Sequence, residues 1–301
     1  MKKHVGLIGL GRMGNNMVLN LLSKKYKVVV YNRSPEPAKK MSRRGAISSH
    51  SLEEFSGKLP KPRVIIMMVT AGKPVSMVIK SLIPLLSKGD TVIDGGNSPY
   101  KESMKRADEF ESTGINFVDV GVSGGPAGAR EGACMMVGGN KDDFEALEPL
   151  FRDLAAPDAY RYMGTHGAGH FVKMVHNGIE YGMMQAIAEG FAVMEKSGFD
   201  LDLQKISDLY NHRSVVESRL VEWLKEGFEK FGQEMEGVSG AVEASGEGEW
   251  TVEAAKDLGV PVRVIEDALR FRDESRGNPS YTGKLLQAMR NRFGGHKPEK
   301  Q

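Results

Sequence analysis

A single cysteine, Cys134, is all the thiol chemistry that this 301-residue chain holds. An internal disulfide and a cysteine-based zinc site are excluded on that count, and a reducing cytoplasm is the expected setting. Cys134 falls in the apolar run Ala133-Cys134-Met135-Met136-Val137 and reads as a small buried filler, not a reactive thiol. An excess of either charge is also missing: 41 Lys and Arg stand against 39 Asp and Glu, a formal +2. Nucleic acid is therefore not an expected partner, since it needs a clustered basic surface. The pairs Lys24-Lys25 and Arg43-Arg44 read as solvated helix ends. No run of about 18 apolar residues occurs, so no spanning helix and no membrane partner are expected. Met1-Lys2-Lys3-His4 leads straight into Val5-Gly6-Leu7-Ile8, which leaves no room for a signal peptide.

What remains is the balance of a globular protein, 40% hydrophobic and 27% charged, at a length that suggests two domains. Apolar, β-branched runs predict strands at His4–Leu10, Lys27–Asn32, Arg63–Val69, Thr91–Asp94, Phe117–Val120 and Cys134–Gly138. Amphipathic stretches such as Met13–Ser23 and Val75–Leu86 lie between them. That alternation predicts a parallel, doubly wound α/β sheet covered on both faces, whose ligands bind at the carboxyl ends of the strands. Beyond about residue 165 the pattern turns helical. His166–Lys196 lacks proline and reads as one long helix, apolar on most sides and so buried in a core or a subunit interface. Further helices are expected near 202–211, 214–230, 251–258, 261–275 and 280–293, with a Gly- and Glu-rich loop at Glu234–Glu249. The expected division is residues 1–165, a dinucleotide-binding sheet domain, and 166–301, an all-helical domain for substrate and oligomerisation.

Gly9-Leu10-Gly11-Arg12-Met13-Gly14 matches G-x-G-x-x-G, with a strand before it, a helix after it and a second strand within about thirty residues. Glycines at this spacing let the backbone turn tightly and bring helix-terminal N–H groups onto a pyrophosphate. At the end of the second strand an NAD enzyme usually carries an acid for the ribose hydroxyls. Here Asn32-Arg33-Ser34 stands there instead, with no acid before Glu36. A guanidinium beside a hydroxyl suits the 2′-phosphate of NADP; alternatively Arg33 stacks on adenine and NAD is accepted. Three more loops fall at strand ends and are expected to wall the cofactor and substrate: Val69-Thr70-Ala71, Gly95-Gly96-Asn97-Ser98, and Gly121-Val122-Ser123-Gly124-Gly125-Pro126.

The long helix carries Lys173-Met174-Val175-His176-Asn177-Gly178-Ile179-Glu180-Tyr181. At about 100° per residue, seven residues return to within about 20°, so Lys173 and Glu180 share a face with His176 and Asn177. Charges on a helix usually mark a solvated face. Here the apolar residues leave little exposed arc, and Gly178 and Gly182 lower helix propensity unless something packs closely on them. A polar pocket is therefore expected, in which a desolvated lysine can act as a base near neutrality.

Together, GLGRMG, NRS, DGGNS, GVSGGPAGAREGA and KMVHNGIEYGMMQ resemble the 6-phosphogluconate dehydrogenases, and more closely their short bacterial form. The resemblance runs from Gly9 to His296 and implies a Rossmann-type domain followed by a helical one. It implies NAD(P)-linked oxidative decarboxylation of 6-phosphogluconate to ribulose 5-phosphate without a metal. The alternatives are a non-decarboxylating 3-hydroxyacid dehydrogenase or a dehydrogenase of a related sugar acid. By match to the motif, Lys173 is the base at the C3 hydroxyl and Glu180 protonates the enediol. Asn97, Ser123, Gly124, Gly125, His176, Asn177 and Tyr181 match substrate-holding positions, and Asn97 also touches the cofactor. Arg272 matches a substrate arginine. Arg290 and His296 keep the spacing of a family tail that reaches the neighbouring subunit's site, which implies a homo-oligomer. In one place the chain departs from the long enzymes: Ser245 stands at a phosphate-binding lysine and Glu247 at a nearby threonine, which bears on how strictly a phosphate is required.

Overall fold

The computed structural model describes residues 3–244, 246–295 and 297. The chain divides into two compact units, Met1–Met174 and Val175–Gln301. In the first unit strands and helices alternate: β1 (His4–Ile8), α1 (Arg12–Ser23), β2 (Lys27–Tyr31), α2 (Pro35–Ser42), β3 (Ile47–Ser48), α3 (Leu52–Gly57), β4 (Val64–Met67) and α4 (Lys73–Leu82). There follow β5 (Thr91–Asp94), α5 (Tyr100–Glu111), β6 (Asn116–Ser123), α6 (Gly125–Glu131), β7 (Ala133–Gly139), α7 (Lys141–Leu154) and β8 (Ala155–Gly164). The eight strands form one sheet in the order β3-β2-β1-β4-β5-β6-β7-β8. Its pairings are parallel except that β7 runs antiparallel to β6.

The apolar strands feed two cores because alternate side chains leave opposite faces. Leu7, Val28 and Val30 join one core with Met17 and Leu21 of α1. Ile8, Val29, Ile65 and Met67 join the other with Phe55, Val75, Ile79 and Phe110. Strand order turns outward from β1 in both directions, so β1 and β4 bound the switch point, with the glycine turn Gly9–Gly14 at its carboxyl edge.

Sequence reading differs from the structure in several places. Cys134 is exposed, not buried: it points to the face of β7 opposite to the buried Ala133 and Met135. β6 runs on to Ser123, because β7 pairs with it as far as Ser123–Cys134. β3 has only two residues, and β8 is half-exposed along its length, so neither carries a continuous apolar run.

α8 (Ala168–Glu195) begins in the first unit and continues into the second. The second unit adds α9 (Leu203–Tyr210), α10 (Arg219–Phe231), α11 (Glu247–Asp257), α12 (Arg263–Ser275) and α13 (Tyr281–Gly294). Asp202, Ser218 and Ser280 cap α9, α10 and α13 by accepting backbone N–H bonds. The core of this unit gathers Met184, Ala188 and Phe191 of α8 with Leu224, Phe228, Leu285, Leu286 and Met289. The expected Glu234–Glu249 loop ends early, since α11 already starts at Glu247, past Gly246 with φ +89°. α8 is not buried all round: Ile179 is 53% and Met183 44% exposed. Among the described residues no helix is long and apolar enough to cross a membrane.

Candidate active site

At the carboxyl edge of β1 the glycine turn is laced to β2. Gly9 N–H donates to the Tyr31 carbonyl at 3.0 Å, and Leu10 N–H donates to Asn32 Oδ1 at 2.9 Å. Asn32 Nδ2 in turn donates to the Ser34 carbonyl at 2.9 Å. A Cβ on Gly14 would overlap the Gly9 carbonyl oxygen, so α1 and the turn can approach this closely only through glycine. Gly11, the N-cap of α1, is different: nothing lies within 4 Å of where its Cβ would be. The first turn of α1 has no acidic residue and no side-chain cap. Its N–H groups and dipole therefore face an open space suited to an anion. Arg12 is exposed at that end and Met13 half-buried, while Arg33 and Ser34 are exposed at the end of β2.

Two other loops line the same edge of the sheet. Val69-Thr70-Ala71 follows β4, and a Cβ on Gly96 would lie 2.7 Å from the Val69 carbonyl, so the loop after β5 is seated directly on it. Buried Asp94 shapes that second loop. Its carboxylate accepts from Gly96 N–H at 3.1 Å and from Ser98 Oγ at 2.7 Å, with the Arg106 guanidinium 3.4 Å away. Asn97 is thereby presented on the exposed side of a fixed turn. Ser123, Gly124 and Gly125 follow at the end of β6, half-buried, with Gly124 at φ +111°.

Asp119, paired in register with Asp94, does for α8 what Asp94 does for its loop. Its carboxylate is fully buried and accepts the N–H of Gly167 at 2.7 Å and of His170 at 2.9 Å. A strand carboxylate thus satisfies the otherwise orphaned donors at the start of α8 and favours its positive end. His170 Nδ1 is 2.7 Å from Ser103 Oγ, which ties the same turn to α5. A Cβ on Gly169 would lie 2.5 Å from the carbonyl oxygens of Asp119 and Met136, so the helix start rests on the strand backbone itself. One turn on, Lys173 is 8% exposed, and a Cβ on Gly121 would overlap its Cβ. Lys173 is therefore mounted rigidly on β6, two residues before Ser123. Asp119 and Gly121 carry this placement, as Asp94 carries that of Asn97, and sequence reading singled out none of them for it. The available signal was an acid inside an apolar run, Val92-Ile93-Asp94 and Phe117-Val118-Asp119-Val120, since a buried carboxylate needs donors nearby.

In the second unit the polar strip of α8 continues. Asn177 is 8% exposed and Tyr181 4%. His176 Nδ1 lies 2.9 Å from Asn177 Oδ1 and 3.9 Å from Glu180 Oε2. The two glycines have close neighbours: a Cβ on Gly178 would lie 2.7 Å from Thr251, and one on Gly182 3.1 Å from Val264. The Arg272 guanidinium stacks 3.4 Å from the centre of the Tyr181 ring. Burial pulls its pKa down to about 10, opposed by Tyr181, Glu180 and Glu247 and reinforced by Arg290. Arg290 is likewise lowered by burial. Arg290 is 4% exposed within α13, carried inward with Leu285, Leu286 and Met289, and Tyr181, Glu243, Glu180 and Glu247 act on it electrostatically. His296 and Ser245 lie outside the described residues. Among the described residues no group of three or more His, Cys, Asp or Glu is placed to hold a metal ion.

Comparison with known proteins decides the family. Residues 4–167 match the NAD-binding domain of 6-phosphogluconate dehydrogenase, and residues 169–280 match the C-terminal domain of the same enzyme. The chain belongs to the 6-phosphogluconate dehydrogenase family. A Bacillus subtilis protein provisionally named as a 6-phosphogluconate dehydrogenase is 45% identical over 297 residues, 99% of each chain. The NAD(+)-dependent, decarboxylating 6-phosphogluconate dehydrogenase of Haloferax volcanii is 38% identical over 97% of each chain. Among solved structures, the Plasmodium falciparum 6-phosphogluconate dehydrogenase, described with its cofactor NADP+ and its substrate 6-phosphogluconate, superposes with a TM-score of 0.78. It is 30% identical and matches 95% of this chain but 70% of its own. The chain thus has the span of the short family members.

Proposed function

We propose that this protein catalyses the NAD(P)-linked oxidative decarboxylation of 6-phosphogluconate to ribulose 5-phosphate. The observation that carries the reading is Lys173: a buried amine on a helix start fixed by Asp119 and pressed against Gly121, on the strand that ends in Ser123-Gly124-Gly125. The glycine turn fits a dinucleotide, because the space over Gly11 is open and the first turn of α1 carries no competing acid. Gly9–Gly14, Asn32, Val69, Thr70, Ala71 and Asn97 would hold it. Arg33 and Ser34, exposed where a ribose acid is absent, favour NADP. When bound, the nicotinamide ring supplies the acceptor for the hydride that leaves C3.

Lys173 takes the proton of the C3 hydroxyl as that hydride departs, so the alcohol becomes a ketone. The C3 carbonyl now stands β to the carboxylate. The bond to C1 breaks, carbon dioxide leaves, and its electron pair moves into the carbonyl as an enolate. The Lys173 ammonium donates a hydrogen bond and a proton to the developing oxyanion. Glu180, from the same face of α8, protonates the carbon that becomes C1 of the ketose, while the enol oxygen returns its proton to Lys173 and becomes the ketone. Ser123, Gly124, Gly125, His176 and Asn177 hold the sugar acid, while Tyr181, Arg272 and Arg290 receive its anionic end, with His296 as a further ligand. Exposed Ile179, Met183, Val193 and Val264 support a homo-oligomer as the working form.

Incubation with NADP and 6-phosphogluconate should yield reduced cofactor and carbon dioxide in equal amounts. Reduction without gas would move the protein to the non-decarboxylating 3-hydroxyacid dehydrogenases.

A further inference from the structure

Inside the helical unit, positive charge is buried beyond what its own contacts use. Arg272 is 2% exposed, yet its Nη1 makes only a long 3.4 Å bond to the Glu243 carbonyl. Its Nε and Nη2 are buried without an acceptor among the described residues. Arg290 spends Nη1 on Gln287 Oε1 at 2.9 Å. Two guanidiniums within electrostatic reach of each other, one with buried donors left over, make a receptor for an anion.

The same cluster contains carboxylates. Glu247, the first residue of α11, is 5% exposed, and both Glu247 and Glu180 act electrostatically on Arg272 and on Arg290. Glu243 acts on Arg290 as well. The main chain at Glu247 has little freedom to move. Its carbonyl accepts from Thr251 Oγ1 at 2.9 Å. The next residue, Gly248, is pressed so closely on Tyr181 that a Cβ there would lie 2.7 Å from the ring. Thr251 in turn packs on Gly178 of α8. The first turn of α11 is therefore clamped over the ring on which Arg272 stacks.

We infer that Glu247 determines the charge selectivity of this pocket: as a buried counter-ion it offsets one of the two arginines, so a doubly charged phosphate gains less over an uncharged terminus than two bare guanidiniums would give it. Without Glu247 the buried arginines would repel each other more strongly in the empty protein. With it, an incoming dianion meets a carboxylate held at the receptor, and like charges brought together in a desolvated site weaken binding. The pocket is thus tuned for moderate affinity and for tolerance of a sugar acid that lacks the phosphate. The identity of the sugar acid rests on the function proposed above; the electrostatic role of Glu247 does not.

Titration calorimetry at pH 8, without cofactor, on the wild type, E247Q and E247D tests this with 6-phosphogluconate, gluconate and inorganic phosphate as ligands. E247Q should bind 6-phosphogluconate and phosphate about tenfold more tightly, about 1.4 kcal/mol, with gluconate changed less than about twofold. E247D should keep the wild-type order of affinities, because it keeps the charge. E247T removes the charge with a different side chain and should shift affinities in the same direction as E247Q, including where E247Q does not fold. Unchanged or weaker phosphate binding in the uncharged variants would overturn the inference and make Glu247 a brace for the arginines. Tightened phosphate binding in a protein that turns over no sugar acid would instead overturn the proposed reaction and leave this inference standing.

Discussion

In the proposed function the two units hold anions by opposite means. In the sheet unit the work falls to the main chain: an uncapped helix start, an open Gly11 and glycines that let α1 approach the turn, with no buried side-chain charge in the turn. In the helical unit it falls to side chains, two guanidiniums sunk among apolar helices with Tyr181 as a stacking floor. The first arrangement costs little, because helix N–H groups exist wherever a helix begins. The second does not come free. Burial lowers the Arg272 pKa to about 10, which is a penalty on the folded state at neutral pH. Carboxylates beside the arginines limit that penalty, and it is there that charge selectivity can be adjusted residue by residue.

Removal of the buried cation gives the largest expected effect on this contrast. Arg272→Met should weaken 6-phosphogluconate binding about a hundredfold or more, the range for truncating a desolvated charge partner, while NADP affinity, measured in the same titrations, stays within about twofold. An equal loss for both ligands would show that the two anion sites are not separable. Alkaline pH sharpens the point without mutation. Above about pH 10 the folded Arg272 holds its proton less tightly than the unfolded one, so this residue's contribution to stability rises with pH there. Sugar-acid binding through Arg272 falls over the same range, whereas recognition by α1 N–H groups has nothing to titrate there. Buried Tyr26 and half-buried Tyr281 oppose this: desolvation raises both, so their contribution is complete below pH 10 and is lost above it. The binding curve must therefore be read beside a folding signal such as circular dichroism.

Arg33→Asp gives a smaller change, at the one place where the sheet unit uses an exposed charge. If Arg33 meets a 2′-phosphate, kcat/KM should fall at least about tenfold for NADP and much less for NAD, since attraction becomes repulsion. Equal losses would mean that Arg33 packs on the adenine both cofactors share.

The same contrast explains which parts of the molecule were legible in the sequence. Main-chain recognition is written in glycine spacing, and Gly9, Gly11 and Gly14 stand where their pattern says. The seven-residue spacing of Lys173 and Glu180 was readable for a similar reason, since helix geometry alone sets it. Arg272 and Arg290 were not readable as buried residues, because arginine on an amphipathic helix usually faces water and only tertiary packing of α12 and α13 encloses them. Asp119 was silent for the same reason: its partners, the N–H groups of Gly167 and His170, lie 48 and 51 residues away in sequence. Cys134 misled because the apolar run around it matches a strand buried on both sides, and β7 leaves that position open. The start of α11 was hidden by Gly246 and Gly248, which read as a loop although Gly248 is there to let the helix touch Tyr181.

Lys173 is the residue on which the proposed chemistry turns, and the most direct measurement is turnover of 6-phosphogluconate by Lys173→Met with NADP affinity determined in parallel. The expected result is a loss of kcat of about a hundredfold to ten-thousandfold, as for removal of a positioned general base, with NADP bound as tightly as before. Turnover within about tenfold of the wild type, with carbon dioxide still released, would show that another group moves the proton.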